Sequence, residues 1–185
     1  MGIIVTEKEY LIRHGEWIDA EAILKIQRTV IAEGDYLITL AEEFNHTLEE
    51  QQHWINNILR NERETLLVAE IDGELIGFLV FQSPERKRLH HTGSFSIMIT
   101  NEYRNKGIGK KLLEVLLQWA ERNPVIEKVN LGVFSTNYQA ISLYKRMGFV
   151  EEGRKLNEFK IAENEYVDDI LMYKLVKGRQ LGRRS

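Results

Sequence analysis

The sequence predicts an α/β domain of the α+β kind, with four main helices packed on a mixed, twisted and largely antiparallel sheet of six or seven strands. Three observations carry that prediction. Asp72-Gly73 joins two apolar runs, 65–71 and 75–81, as a hairpin, because Asp-Gly supplies the positive φ angles of a two-residue turn. Two stretches of helical periodicity precede the hairpin, so helices come first and strands follow. A third helical stretch separates apolar runs at 93–100 and 129–135, and a strand–helix–strand unit of this kind implies a parallel crossover.

Each element has its own signal. Residues 10–14 make a short strand, and 19–33 place Ile23, Ile26, Val30 and Ile31 near helical spacing, with Gly34 as the stop. Thr47-x-x-Glu50 is a capping box that opens a helix to about Arg60, whose apolar stripe is Trp54, Ile55, Ile58 and Leu59. The helix from Gly107 to about Arg122 buries Ile108, Leu112, Val115, Leu116 and Trp119. After Pro124 come the 129–135 strand and a helix over 137–147, which Gly148 closes in a left-handed conformation. Two strands, 149–161 and 166–176, end the domain, joined by Ala162-Glu163-Asn164-Glu165.

Composition narrows the class. A chain of 185 residues buries a core without staples, and with no cysteine it has no disulfide, thiolate metal site or cysteine nucleophile, as expected of a cytoplasmic protein. No run approaches the length of a membrane span, and no signal peptide is read at the start. The opening Met1-Gly2-Ile3-Ile4-Val5-Thr6 reads as a first strand or an ordered arm rather than a lipidation signal. Of the 25 basic residues, five lie within 174–185, which hold no acid; the rest of the chain carries 20 basic against 28 acidic groups. An acidic body argues against a nucleic-acid partner and suits cationic substrates. Residues 1–176 read as one domain and 177–185 as a solvated basic tail. His90-His91 lacks a third ligand at suitable spacing, so no metal is expected.

The segment from Ser96 to Leu113 reads as a strand that turns through a glycine-rich, basic loop into a helix. Unpaired N–H groups and the positive end of the helix dipole favour an anion there. Gly107 and Gly109 remove Cβ atoms that would hold a phosphate away, while Arg104, Lys106, Lys110 and Lys111 add positive charge. Leu112 stands where a dinucleotide fingerprint has its third glycine, and Lys111 where a nucleotide-triphosphate loop has its magnesium-binding hydroxyl.

Arg104-x-x-Gly107-x-Gly109 resembles the pyrophosphate-binding signature of the GNAT N-acetyltransferase superfamily, whose members bind acetyl-coenzyme A. About thirty residues on, the run 129–135 followed by Asn137, Ala140, Leu143-Tyr144 and Gly148-Phe149 is similar to the family's second motif, in the same order. The resemblance covers about residues 64 to 175. It implies a single GNAT-like domain that uses acetyl-CoA as cosubstrate. It implies, too, direct attack on the thioester by a primary amine of a small molecule or a peptide amino terminus, often in a homodimer. Gly153-Arg154 with Phe159, and Glu165-Tyr166-Val167-Asp168, resemble the branch of ribosomal-protein and small-amine acetyltransferases. The alternative is a module that binds acyl-CoA without turnover, which the retention of Tyr144 disfavours.

The same resemblance assigns the site. The coenzyme's diphosphate falls to Arg104, Asn105, Lys106, Gly107, Ile108, Gly109 and Lys110, and its pantetheine arm to the main chain of Ile97, Met98 and Ile99 and to Asn137, which also suits a helix cap. Tyr144 falls on the residue that protonates the departing thiolate, and a phenol stays protonated at neutral pH while it donates. An alkylamine of pKa near 10.4 must lose a proton before it attacks. Some relatives carry a Glu for this on the strand before the loop, where this chain has Gly93-Ser94-Phe95-Ser96. The base is therefore open among Glu33, Glu49, His53, His91, Asp168, Asp169 and a water chain ending at Ser94 or Ser96.

Overall fold

The computed structural model describes residues 5–6 and 10–177. In chain order the elements are β1 (Val5–Thr6), β2 (Leu11–His14), α1 (Ala20–Ala32), α2 (Leu48–Arg60), β3 (Thr65–Ile71), β4 (Glu74–Gln82), β5 (Thr92–Ile99), α3 (Ile108–Arg122), β6 (Lys128–Phe134), α4 (Tyr138–Arg146), β7 (Val150–Ala162) and β8 (Glu165–Leu175). The strands form one sheet in the order β1-β2-β3-β4-β5-β6-β8-β7, antiparallel throughout except where β5 meets β6. The predicted four helices and seven strands are present, and the two-residue β1 pairs Val5 with Ile12 at the sheet's edge. Residues 1–4 and most of the predicted tail, 178–185, lie outside the described residues. Lys177, assigned to that tail, donates from Nζ to the Asn123 carbonyl at 2.5 Å.

Local chemistry sets the boundaries. Asp72 and Gly73 take φ of 50° and 86°, the hairpin turn their side chains permit. The Thr47 hydroxyl accepts from the Glu50 amide at 3.2 Å, and Glu50 Oε2 accepts from the Thr47 amide at 2.8 Å, so the capping box forms in full. Gly34 and Gly148 follow their helices at φ of 72° and 85°, where a left-handed residue ends the helical bonding.

Alternation along the strands splits the core in two. One face carries Leu79, Phe81, Phe95, Val129, Leu131, Val133, Ile170 and Met172 against Leu112, Leu113, Leu116 and Ala120 of α3 and Tyr144 of α4. The other carries Leu66, Val68, Phe78 and Val80 against Ile23, Ile26 and Val30 of α1 and Ile55 and Ile58 of α2. Truncating a fully buried leucine such as Leu112 to alanine in either layer costs about 2–5 kcal/mol. α1 and α2 lie over β3, β4 and β5, while β6 and β8 on that face carry Asn130, Gly132 and Asp169, among them a glycine that is solvent-exposed.

The consequential feature is a gap in the middle of the sheet. β5 and β6 pair only at Thr92–Lys128, Gly93–Val129 and Ser94–Asn130, and then part. Beyond that point β5 stays paired to β4 as far as Ile99, and β6 to β8 as far as Phe134. Between the diverging strands, main-chain groups of residues 95–99 on the β6 side have no ladder partner.

Candidate active site

The loop at the end of this gap is shaped by two left-handed residues. A 3-10 turn over Asn101–Tyr103 leads from β5 to Arg104; Asn105 then takes φ of 64° and Gly107 φ of 83°. Asparagine and glycine tolerate this conformation best, and the reversal starts α3 at Ile108 with no side-chain cap. The Gly107 carbonyl accepts from the Lys111 amide at 3.0 Å, the first intrahelical bond. The N–H groups of Ile108, Gly109 and Lys110 precede it and have no intrahelical acceptor, at the positive end of a 15-residue helix. Ile108, 1% exposed, pins that first turn to the core.

Neighbouring elements hold the loop's side chains. Arg104 donates from Nε to the Ile99 carbonyl at 2.9 Å and from its guanidinium to the Glu33 carboxylate at the end of α1. Asn105 Oδ1 accepts from Gln139 Nε2 of α4. Arg104, one of the loop's basic residues, is engaged by protein groups here, because a guanidinium beside a carbonyl and a carboxylate finds both partners at once. Lys106 lies 5.0 Å from the Tyr103 ring, and Lys110 Nζ lies 3.6 Å from Glu114; both lysines are exposed. A Cβ on Gly109 would sit 3.4 Å from Ile99 Cδ1, 3.6 Å from Ile97 Cδ1 and 4.0 Å from Leu143 Cδ2, so Gly109 lines the gap beside both strand and helix.

Tyr144 closes the same face. Its ring meets Phe95 edge-on at 5.7 Å between centroids and Phe149 at 6.0 Å. These contacts exist because Phe95 is the first β5 residue beyond the last β5–β6 pair and points to the α4 side. The side chain is 8% exposed, and burial pushes the phenol up to about 12, so it is a proton donor at every physiological pH. Its oxygen makes no hydrogen bond among the described residues, which leaves that donor for a ligand. Asn137 caps α4, its Oδ1 accepting from the Ala140 amide at 3.1 Å. The capping use is thus made, and Nδ2 is left as a donor at the helix entrance.

The six candidate bases separate clearly. Glu33 is held by Arg104. Glu49 and His53 are exposed on α2. His91 lines a cavity of about 670 Å³ with Thr92, Lys128 and Tyr173, at the end of β5 far from the loop. Asp168 accepts the Asn157 amide at 2.8 Å and faces Arg154 at 3.4 Å, bracing the irregular β7–β8 hairpin. Asp169 alone sits at the gap, 7% exposed, with Oδ1 only 2.7 Å from where a Cβ on Gly132 would stand. Ser94 and Ser96 are exposed on the same sheet face as Asp169, and Asn130, paired to Ser94, has a buried Oδ1 with no partner. The parting of the strands and the Gly132–Asp169 contact escape a reading of the sequence. Alternation along the last strand does place Asp168 and Asp169 on opposite faces.

Among the described residues no helix is long and apolar enough to cross a membrane, and no group of three His, Asp or Glu suits a metal.

Residues 30–149 match the acetyltransferase (GNAT) family. The L-amino acid N-acetyltransferase of Escherichia coli is 28% identical over 89% of this chain and 96% of its own. The spermidine N(1)-acetyltransferase of Vibrio cholerae is 29% identical over 77% of this chain and 80% of its own. Among solved structures, a GNAT-family acetyltransferase from Streptococcus pneumoniae superposes with a TM-score of 0.86 at 31% identity, covering 90% of this chain and 99% of that one. The fold is shared as well with an acetyltransferase from Salmonella typhimurium solved with acetyl-CoA, at a TM-score of 0.83, 18% identity and coverage of 96% and 100%. With the family model matched over residues 30–149, well over half of the chain, and a GNAT-family structure superposing on 90% of it, the chain belongs to the GNAT acetyltransferase family.

Proposed function

We propose that this N-acetyltransferase, with acetyl-CoA as cosubstrate, threads the coenzyme through the β5–β6 gap, its diphosphate on the N–H groups of residues 105–110 and its sulfur beside the Tyr144 hydroxyl. The observation that carries the reading is the parting of β5 and β6 after Ser94 and Asn130, directly between the capless start of α3 and the unpaired phenol. The fit is chemical. Main-chain groups of the Ile97, Met98 and Ile99 stretch that face the gap suit the amides of a pantetheine arm, with the Ile99 carbonyl already held by Arg104. The ammonium first gives up a proton to water; the neutral amine then attacks the thioester carbonyl, a carbon–nitrogen bond forms, the carbon–sulfur bond breaks, Tyr144 donates its proton to the departing thiolate, and the proton shed by the new amide nitrogen returns through water to the phenol.

Electrostatic stabilisation of the diphosphate comes from backbone dipoles that need no reorganisation, with Lys106 and Lys110 adding screened charge at the rim. The acceptor is a primary amine, on a small molecule or a peptide amino terminus. The named activities of the relatives, on amino acids and on spermidine, support that class. No observation favours a module that binds without turnover.

A homodimer through the outer edge of β7 belongs to the same reading: β7 is the last strand of the sheet, and Leu156 and Ile161 on it are exposed. Sedimentation at several concentrations tests it, and a monomer at all of them removes it. A cytoplasmic location belongs to the same reading and is supported by the cysteine-free composition, and cell fractionation checks it.

The experiment for the activity is thiol release from acetyl-CoA with a panel of primary amines. Amine-dependent thiol release is expected. Tight binding of acetyl-CoA with thiol release no faster than in the absence of protein would show a binding module instead.

A further inference from the structure

Asp169 presents a carboxylate whose surroundings are arranged for a cation that is not part of the core. It is 7% exposed, and the cation that meets it among the described residues is the Lys155 ammonium, 3.6 Å from Oδ2. A nearly enclosed carboxylate is stabilised by a cation, and the one this carboxylate has is a loose contact from a half-exposed lysine. The space around it is kept open by Gly132, where a side chain would collide with Oδ1 at 2.7 Å. Gly132 has no positive φ to explain it, so its use is clearance: the carboxylate leans from β8 across β6 onto a floor without a Cβ, and that floor is open to solvent.

The position along the sheet matters as much. Gly132 lies two residues past Asn130, the last β6 residue paired to β5, and therefore at the crotch of the gap. Asp169 shares its face with Ser94, Ser96 and the orphaned Oδ1 of Asn130, whereas Tyr144 packs on the opposite face with Phe95, Ile170 and Met172. The gap joins the two faces at this level.

One alkylammonium already reaches the carboxylate. Lys155 Nζ lies 3.6 Å from Asp169 Oδ2, and the same Nζ is held more closely by Glu158 at 3.0 Å. Lys155 is 50% exposed, so this contact is weak and readily given up. Lys155 shows which chemistry the carboxylate accepts: a primary ammonium arriving from solvent on the β6–β8 face.

We propose that Asp169 binds the ammonium group of the acceptor amine, with the Lys155 ammonium holding its place until the acceptor arrives, so that the preferred substrates are amines carried in as cations. The proposal rests on the acetyl-transfer reading above. It assigns Asp169 to acceptor binding on the face opposite Tyr144, with Ser94, Ser96 and Asn130 as polar neighbours for the rest of the acceptor.

The test compares acceptors that are cationic at neutral pH, such as simple alkylamines, with aniline, which is neutral there, in wild type and Asp169→Asn, alongside direct titration with acetyl-CoA. In Asp169→Asn the KM for alkylamines rises at least about tenfold, the loss of one charge-assisted hydrogen bond, while the KM for aniline and the coenzyme affinity stay as they were. Equal changes for both acceptor classes, or none, overturn the proposal. Should Asp169→Asn not fold, Lys155→Gln decides: the alkylamine KM falls once the competing ammonium is gone, and a KM that is unchanged or raised refutes the assignment. Wild-type protein that binds acetyl-CoA but releases no thiol with any amine defeats the transferase reading itself, and the proposal with it.

Discussion

Arg104, in the loop before α3, is joined directly to Glu33, at the C-terminal cap of α1, across 71 residues of sequence. The contact ties the loop on one side of the sheet to the helix on the other. It also engages the Glu33 carboxylate, which argues against Glu33 as the base.

Glu33→Gln therefore leaves kcat within about threefold of wild type, where loss of a general base costs about 10²–10⁴. Steady-state thiol release at saturating amine measures this. A drop of a hundredfold would return Glu33 to the chemistry.

Tyr144→Phe lowers kcat by about a hundredfold or more and leaves acetyl-CoA affinity nearly unchanged, because the phenol oxygen has no protein partner to lose. Coenzyme titration beside turnover separates the two.

The same side chain makes a pH prediction. Its folded pKa of about 12 stands above the unfolded value near 10, so burial of the neutral phenol contributes stability that is complete below pH 10 and is lost as pH rises towards 12. Between those limits wild type loses stability more steeply than Tyr144→Phe. Denaturant melts across that range show parallel curves if the phenol is not buried in solution.

The two loop glycines differ in what they do. Gly107 stands at φ of 83° with open space around it, so Gly107→Ala costs about 1–2 kcal/mol in backbone strain and weakens coenzyme binding through a distorted loop. Gly109 has ordinary contact distances awaiting a Cβ, and Gly109→Ala leaves stability within about 0.5 kcal/mol. Thermal melts rank the pair, and the reverse order contradicts the geometry.

Asp168→Ala should separate bracing from chemistry. Asp168 accepts the amide of Asn157, a residue at φ of 52° in the irregular part of β7. Its loss destabilises the hairpin by about 1–2 kcal/mol with kcat kept for the folded fraction, as melts and turnover on one preparation would show.

Much of this was legible in the sequence where local rules dominate. The capping box at Thr47, the Asp72-Gly73 turn and the helix stops at Gly34 and Gly148 each rest on a few adjacent residues, and each appears as expected. The glycine turn into α3 was legible for the same reason, since Gly107 and Ile108 are neighbours in the chain. The parting of β5 from β6 was not, because it depends on pairing between strands 36 residues apart that continues for three pairs and then stops. The Arg104–Glu33 pair was not legible either, because its two members are 71 residues apart. Asp169 could be named as a candidate but not chosen, since only the register of β8 against β6 sets it over Gly132.

The central claim is most directly tested by a crystal structure of the protein with acetyl-CoA. The account predicts diphosphate oxygens within about 3.2 Å of main-chain nitrogens in residues 105–110, and the coenzyme sulfur in the gap within hydrogen-bonding reach of the Tyr144 hydroxyl. A diphosphate bound away from the start of α3, or a sulfur on the far side of β6 from Tyr144, would contradict it.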